Sequence, residues 1–123
     1  MEFTVDKYEN YSMAKINEEK VDSTISPELK SEFMNLAQDG VKSLIVDMAG
    51  VKYVDSSGLS ALLVGNRSFG DNGAFVLYNV TDHVMKLISI SQLDKVMTIV
   101  AGQEEAADVV LMTEINRGQG SAE

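Results

Sequence analysis

Apolar residues are spaced differently in successive stretches of the chain, and the spacing predicts the elements. Between Phe3 and Asn17 apolar and polar residues alternate imperfectly. Phe3, Val5 and Lys7 fall on one side; later, Met13, Lys15 and Asn17 oppose Ala14 and Ile16. A period of two marks a half-buried strand, so this segment predicts two short strands turning at Asn10-Tyr11. Glu18 to Thr24 is polar and reads as a loop. Ser26-Pro27-Glu28 opens a helix, with Ser as N-cap and Pro at the first helical position. Leu29, Phe33, Leu36 and Ala37 then recur at helical spacing until Gly40 closes the helix.

Ser43 to Met48 is a short apolar run without alternation, as expected of a strand covered on both faces. Gly50 to Asp55 reads as a connection. Leu59, Leu62, Leu63 and Phe69 stripe a second helix that Asp71-Asn72-Gly73 ends. Ala74 to Tyr78 is another buried-type strand, and Thr81 or Asp82 caps a third helix bearing Val84, Leu87 and Ile88. Val96 to Val100 is the last strand, and Glu104 to Ile115 a terminal helix. Helices alternating with strands imply a mostly parallel sheet. The two N-terminal strands have no helix between them and form a hairpin. The expectation is one α/β domain over 1–123, a small mixed sheet with about four helices. Its ordered core covers about 3–115, with a Gly/Ser-rich disordered tail over 116–123.

Composition narrows the partners. Ten Lys+Arg against 19 Asp+Glu give 123 residues a net charge of −9. Binding to phosphate backbones rests on cationic side chains that release counterions, so nucleic acid is excluded as a first partner. Anionic membrane surfaces are disfavoured for the same reason. No apolar run approaches the roughly 20 residues of a membrane helix. Cysteine is absent, which removes disulfides, thiolate metal sites and thiol nucleophiles together. The acidic start lacks the basic and apolar regions of a signal peptide, and the expected location is the cytoplasm.

Most candidate chemistry has an ordinary structural explanation. His83 is the single histidine and cysteine is absent, so no recognisable zinc site can be assembled; a Ser-His-Asp triad would have to recruit this same residue, and there is no Gly-x-Ser-x-Gly elbow. Ser12-Met-Ala-Lys15 matches a Ser-x-x-Lys pattern but lies in a strand, where the two side chains are not set as on a helix turn. No Gly-rich loop with Lys-Ser/Thr exists to cradle phosphates. Asp47 ends a central strand, where a two-component receiver keeps its phospho-acceptor. A receiver also needs an acidic pair and a Lys after its last strand, whereas Asp22 stands alone and Lys95 precedes that strand. No metal or cofactor is expected.

The sharp feature is Val54-Asp55-Ser56-Ser57-Gly58-Leu59, where the connection meets the second helix. One reading is a capping loop, with Asp55 or Ser56 accepting bonds from the free N–H groups of the helix start. The other is a phosphorylatable serine. A phosphate there would meet unpaired N–H groups and the positive end of the helix dipole, beside the repelling Asp55 carboxylate.

Tyr53-Val-Asp-Ser-Ser-Gly-Leu-Ser-Ala-Leu-Leu-Val-Gly-Asn-Arg67 resembles the signature of STAS domains, specifically the stand-alone bacterial anti-sigma factor antagonists. Glu19-Lys-Val-Asp22 resembles the family's turn after its second strand. Leu44 to Met48 resembles the central strand, and Gly73 to Val80 the strand after the signature helix. The likeness covers about Phe3 to Ile115. It departs at Asn17-Glu18, where the family commonly has Gly, and at Ser60, which often is Gly.

The resemblance implies a partner switch and not an enzyme. The unphosphorylated protein would bind an anti-sigma factor serine kinase and so free a sigma factor. Phosphorylation of Ser56, directly after the signature Asp, would block binding, and a serine phosphatase of the same pathway would reset it. Ser57 is the second candidate acceptor. Asp22, Asp55, Ser56, Ser57, Gly58 and Leu59 are the expected partner-binding residues. The alternative is a constitutive STAS adaptor of a stressosome or transport complex that is never phosphorylated. A small nucleotide-handling enzyme has only the α/β topology in its favour, and topology alone does not imply activity.

Overall fold

The computed structural model describes residues 1–122, and the side chains of 1–117. Strands β1 (Phe3–Lys7) and β2 (Ser12–Ile16) form the expected hairpin, in the register Phe3↔Ile16 to Lys7↔Ser12. The Tyr8 amide donates to the Tyr11 carbonyl at 2.8 Å across its turn, and the two rings stack 5.0 Å apart. The chain continues through β3 (Lys20–Val21), α1 (Ser26–Gln38), β4 (Leu44–Asp47), β5 (Tyr53–Val54) and α2 (Ser56–Gly70). It closes with β6 (Phe75–Tyr78), α3 (Asp82–Ile90), a 3-10 turn at Leu93–Lys95, β7 (Thr98–Val100) and α4 (Gln103–Ala122). The main sheet has the order β1-β2-β4-β6-β7, antiparallel only in the hairpin. The small mixed, mostly parallel sheet and the four helices agree with the expectation.

The runs without alternation are buried on both faces, as parallel strands must be when helices cover the sheet. In β4, Leu44 and Val46 face the core under α1, α2 and α3, while Ile45 faces α4. In β6, Phe75 and Leu77 join the first core, and Val76 and Tyr78 the second. The Phe33 ring meets Phe75 edge-on at 5.3 Å and Phe3 at 6.1 Å. That crossing needs Gly65 on α2, because a Cβ there would press on the rings of both Phe75 and Phe33.

Several boundaries differ from the sequence expectation. The Glu18–Thr24 loop and the Gly50–Asp55 connection each contain a two-residue strand, and β3 and β5 pair in parallel as a separate small sheet. Ser26 is not the N-cap of α1. Ile25 holds that place without a side-chain bond, and Ser26 turns inward to donate to the Asp22 carbonyl at 2.6 Å. Thr81, not Asp82, caps α3. The last strand begins at Thr98 because the Val96 and Met97 amides are committed to the Leu93 carbonyl of the 3-10 turn. On α2, Ala61, Leu62, Gly65 and Phe69 are buried, while Leu59 and Leu63 are only half-buried.

The terminal helix α4 is longer than the expected Glu104 to Ile115 and runs through Ala122; of the tail expected over 116–123, Glu123 lies outside the described residues. Propagating an existing helix adds a backbone bond per residue, and Arg117 is tethered by donating to the Gly70 carbonyl at 2.6 Å. Among the described residues, no helix is long and apolar enough to cross a membrane.

Tyr78 gives the fold a pH dependence. Burial first, then the Asp47 charge, pushes its phenol up to about 12. The folded state therefore holds this proton more tightly than the unfolded chain. Its contribution is intact below the ordinary tyrosine pKa of about 10 and is lost as pH rises toward 12. Denaturant melts near pH 11 should show the wild type losing about 1.4 kcal/mol more than Tyr78→Phe, relative to neutral pH. Parallel losses in the two proteins would contradict the assignment.

Candidate functional site

The Asp55 end of α2 is built by three segments that sequence separates. Pairing of β3 with β5 sets Lys20 beside Tyr53 and Val21 beside Val54, and the Asp55 amide donates to the Val21 carbonyl at 3.3 Å. Gly58 sits against that same carbonyl. A Cβ on it would fall well inside van der Waals distance of the Val21 oxygen, which accounts for glycine here. The start of α1 is the third wall, through Ser26.

Asp55 is the N-cap of α2. Its Oδ1 accepts from the Ser57 hydroxyl at 2.6 Å and the Gly58 amide at 2.9 Å. The Ser57 bond first, then the Gly58 amide, with the Ser23 and Ser57 amides adding to them, hold its carboxyl below the usual carboxylate range. The N–H groups that a phosphate was expected to find unpaired are thus in part already taken by Asp55. Asp22 is brought to the same end, but its carboxylate turns to the Thr24 hydroxyl and amide, at 2.5 and 3.0 Å. Those bonds lower its pKa, while the neighbouring Asp55 charge opposes them.

The two serines are not equivalent. Ser57 is half-buried, bonded to Asp55 and 3.0 Å from the hydroxyl of buried Ser26. Ser56, the first residue of α2, is exposed, and among the described residues no hydrogen bond engages its hydroxyl. Gly58 is buried and Leu59 half-buried beside them. Adjacent serines in a sequence carry no sign of this difference. It arises because Ser57 faces α1, and Ser26 is the site residue that sequence reasoning took for a helix cap.

The other candidates fall elsewhere. Asp47 ends β4, but its Oδ1 accepts from the Ala49 amide and the Asn79 side chain, at 2.9 and 3.2 Å. Lys95 donates to Gln92. Ser12 is buried in β2, and Lys15, three residues on, points from the opposite face. His83 stacks on the exposed Tyr53 ring with centroids 6.2 Å apart. Among the described residues no group of three or more potential ligands could hold a metal ion. A cleft of about 480 Å³ lies by the hairpin turn, between Lys7–Ser12, Asp39–Lys42 and Glu114. It is at the opposite end of the sheet from Ser56.

Comparison with known proteins supplies the family. The STAS domain family model matches residues 3–106. An anti-sigma-B factor antagonist of Staphylococcus aureus is 28% identical over 79 residues, spanning 63% of this chain and 73% of the relative. Among solved structures, an anti-sigma factor antagonist from Mycobacterium paratuberculosis superposes with a TM-score of 0.79 at 19% identity, covering 89% of this chain and 92% of that one. The Bacillus cell fate determinant SpoIIAA in its phosphorylated form superposes with a TM-score of 0.65 at 21% identity, covering 87% and 97%. Both share the fold described above. Since the family match extends over most of its length, the chain belongs to the STAS domain family.

Proposed function

We propose that this protein is an anti-sigma factor antagonist that works by partner switching, as a cytoplasmic binding protein rather than an enzyme. Unphosphorylated, it binds an anti-sigma factor serine kinase and thereby frees a sigma factor. Phosphorylation of Ser56 ends that binding, and a serine phosphatase restores it. Asp22, Asp55, Ser57, Gly58 and Leu59 frame the contact.

The observation that carries this reading is the exposure of Ser56 beside a carboxylate already committed to the helix start. A phosphoserine adds a charge of about −1.5 to −2. With the Gly58 and Ser57 amides engaged by Asp55, the phosphate is repelled by that carboxylate and projects outward. The surface that meets the partner changes while the core stays as it is. The S. aureus relative, an anti-sigma-B factor antagonist, supports the same partner class.

Intact-mass and fragment analysis of the protein purified from its own host tests the reading. The expected result is a fraction carrying one phosphate, located on Ser56, with the anti-sigma kinase co-purifying only with the unmodified fraction. A protein that carries no phosphate under any growth condition, yet co-purifies with a stable complex, would instead be a constitutive adaptor.

A further inference from the structure

We propose that Ser26, on α1, decides which of the two adjacent serines accepts the phosphoryl group, by keeping the Ser57 hydroxyl engaged inside the protein. This rests on the reading of Ser56 given above and assigns a selecting residue from another element. Ser26 is only 2% exposed, and capping does not explain it, since Ile25 holds the N-cap of α1.

A serine hydroxyl has one proton and two lone pairs. Ser26 Oγ lies 2.6 Å from the Asp22 carbonyl and 3.0 Å from Ser57 Oγ, which lies 2.6 Å from Asp55 Oδ1. Two hydroxyl protons are therefore shared among three contacts. Ser26 donates to the Asp22 carbonyl; a turn of that proton to Ser57 would still leave the carbonyl with the Ile25 and Ser26 amides, at 3.1 and 2.9 Å. In that arrangement Ser57 would accept from Ser26 and donate to Asp55.

Phosphorylation of a serine forms an Oγ–P bond through a lone pair of the hydroxyl oxygen. The bond from the γ-phosphorus to the departing nucleoside diphosphate breaks, and the hydroxyl proton passes to a base. At Ser57 one lone pair faces Ser26 Oγ at 3.0 Å, the proton is held by Asp55, and the incoming oxygens would crowd the Asp55 carboxylate. At Ser56 the hydroxyl is open to solvent. Ser26 thus acts as a positioning residue through Ser57.

The test is transfer of labelled phosphate from Mg-ATP by an extract of the host cells, mapped by fragmentation mass spectrometry. Wild type should carry label on Ser56 alone, and Ser56→Ala should remain nearly blank. Adding Ser26→Ala to Ser56→Ala should raise label on Ser57 about tenfold, the factor that freeing one ordinary hydrogen bond allows. Thermal melts check that each variant is folded. Ser26→Cys, close in size and a weak donor, carries the comparison if Ser26→Ala does not fold. If wild type is labelled on Ser56 but both double variants stay as blank as Ser56→Ala, the role of Ser26 is overturned alone. If wild type takes no label on Ser56, the reading of Ser56 falls with it.

Discussion

Replacing Ser56 with Asp should weaken binding of the anti-sigma kinase about a hundredfold, whereas Ser56→Ala should bind as tightly as wild type. The asymmetry follows from charge, not from loss of a contact. Ser56 is exposed and among the described residues no hydrogen bond engages its hydroxyl, so truncation removes little from the free state. A carboxylate at the same place cannot share the capping amide of Gly58, which Asp55 already holds at 2.9 Å. It enters the interface unpaired and beside a like charge. An uncompensated charge in an interface costs about 2–5 kcal/mol, and each 1.4 kcal/mol is about tenfold in affinity. Titration calorimetry with the kinase captured from the host would read the difference directly. Because Ser56 is exposed, both variants should melt within a degree or so of wild type. Equal binding by Ser56→Asp and wild type would remove the switch.

The net charge of −9 cannot perform this function by itself. A phosphate adds about −2 to a surface that is already acidic, and salt screens exposed charges beyond about 8–10 Å. The effect has to be local, within the reach of Asp55 and Ser56. Composition argues against partners bound through their own phosphates, such as nucleic acid; on the function proposed above, one exposed hydroxyl at a helix start controls the partner that remains.

Much of the fold was legible because burial leaves a pattern. β4 and β6 read as double-faced strands, and the structure buries Leu44, Ile45 and Val46 completely. The pair β3 and β5 was not legible. Two residues are too short for a period, and Val21 and Val54 are apolar only once in each strand. What holds them is tertiary: the parallel pairing itself and the amide of Asp55 on the Val21 carbonyl. Val96 misled for a related reason, since an apolar β-branched residue beside a strand looks like part of it. Its amide belongs to the preceding turn, and the side chain is 57% exposed. At the candidate site, the Asp-Ser-Ser-Gly string is legible in the sequence. The unequal burial of its two serines is not, because it depends on Ser26, which lies 31 residues from Ser57 in the chain.

Gly58→Ala should destabilise the protein by about 2–3 kcal/mol, or roughly 10 °C in Tm, although alanine is the better helix former. In an unobstructed helix this change gains about 0.5–1 kcal/mol. Here the added methyl runs into the Val21 carbonyl, which is backbone and cannot rotate away as a side chain would. That carbonyl also accepts the Asp55 amide at 3.3 Å, so retreat of β3 would break the bond that fixes the helix start. Gly70→Ala at the far end of α2 is the control. Its methyl meets nothing within 4 Å, and it should leave Tm unchanged or raise it slightly. The two variants have the same chemistry in one helix, so their difference isolates the β3 contact. Partner binding should follow stability, because displacing β3 moves Asp22 away from Asp55 and loosens the frame around Ser56. A Gly58→Ala protein that melts with wild type and binds the kinase normally would show that β3 and α2 can separate without cost. The close approach at Val21 would then have no part in presenting the serine.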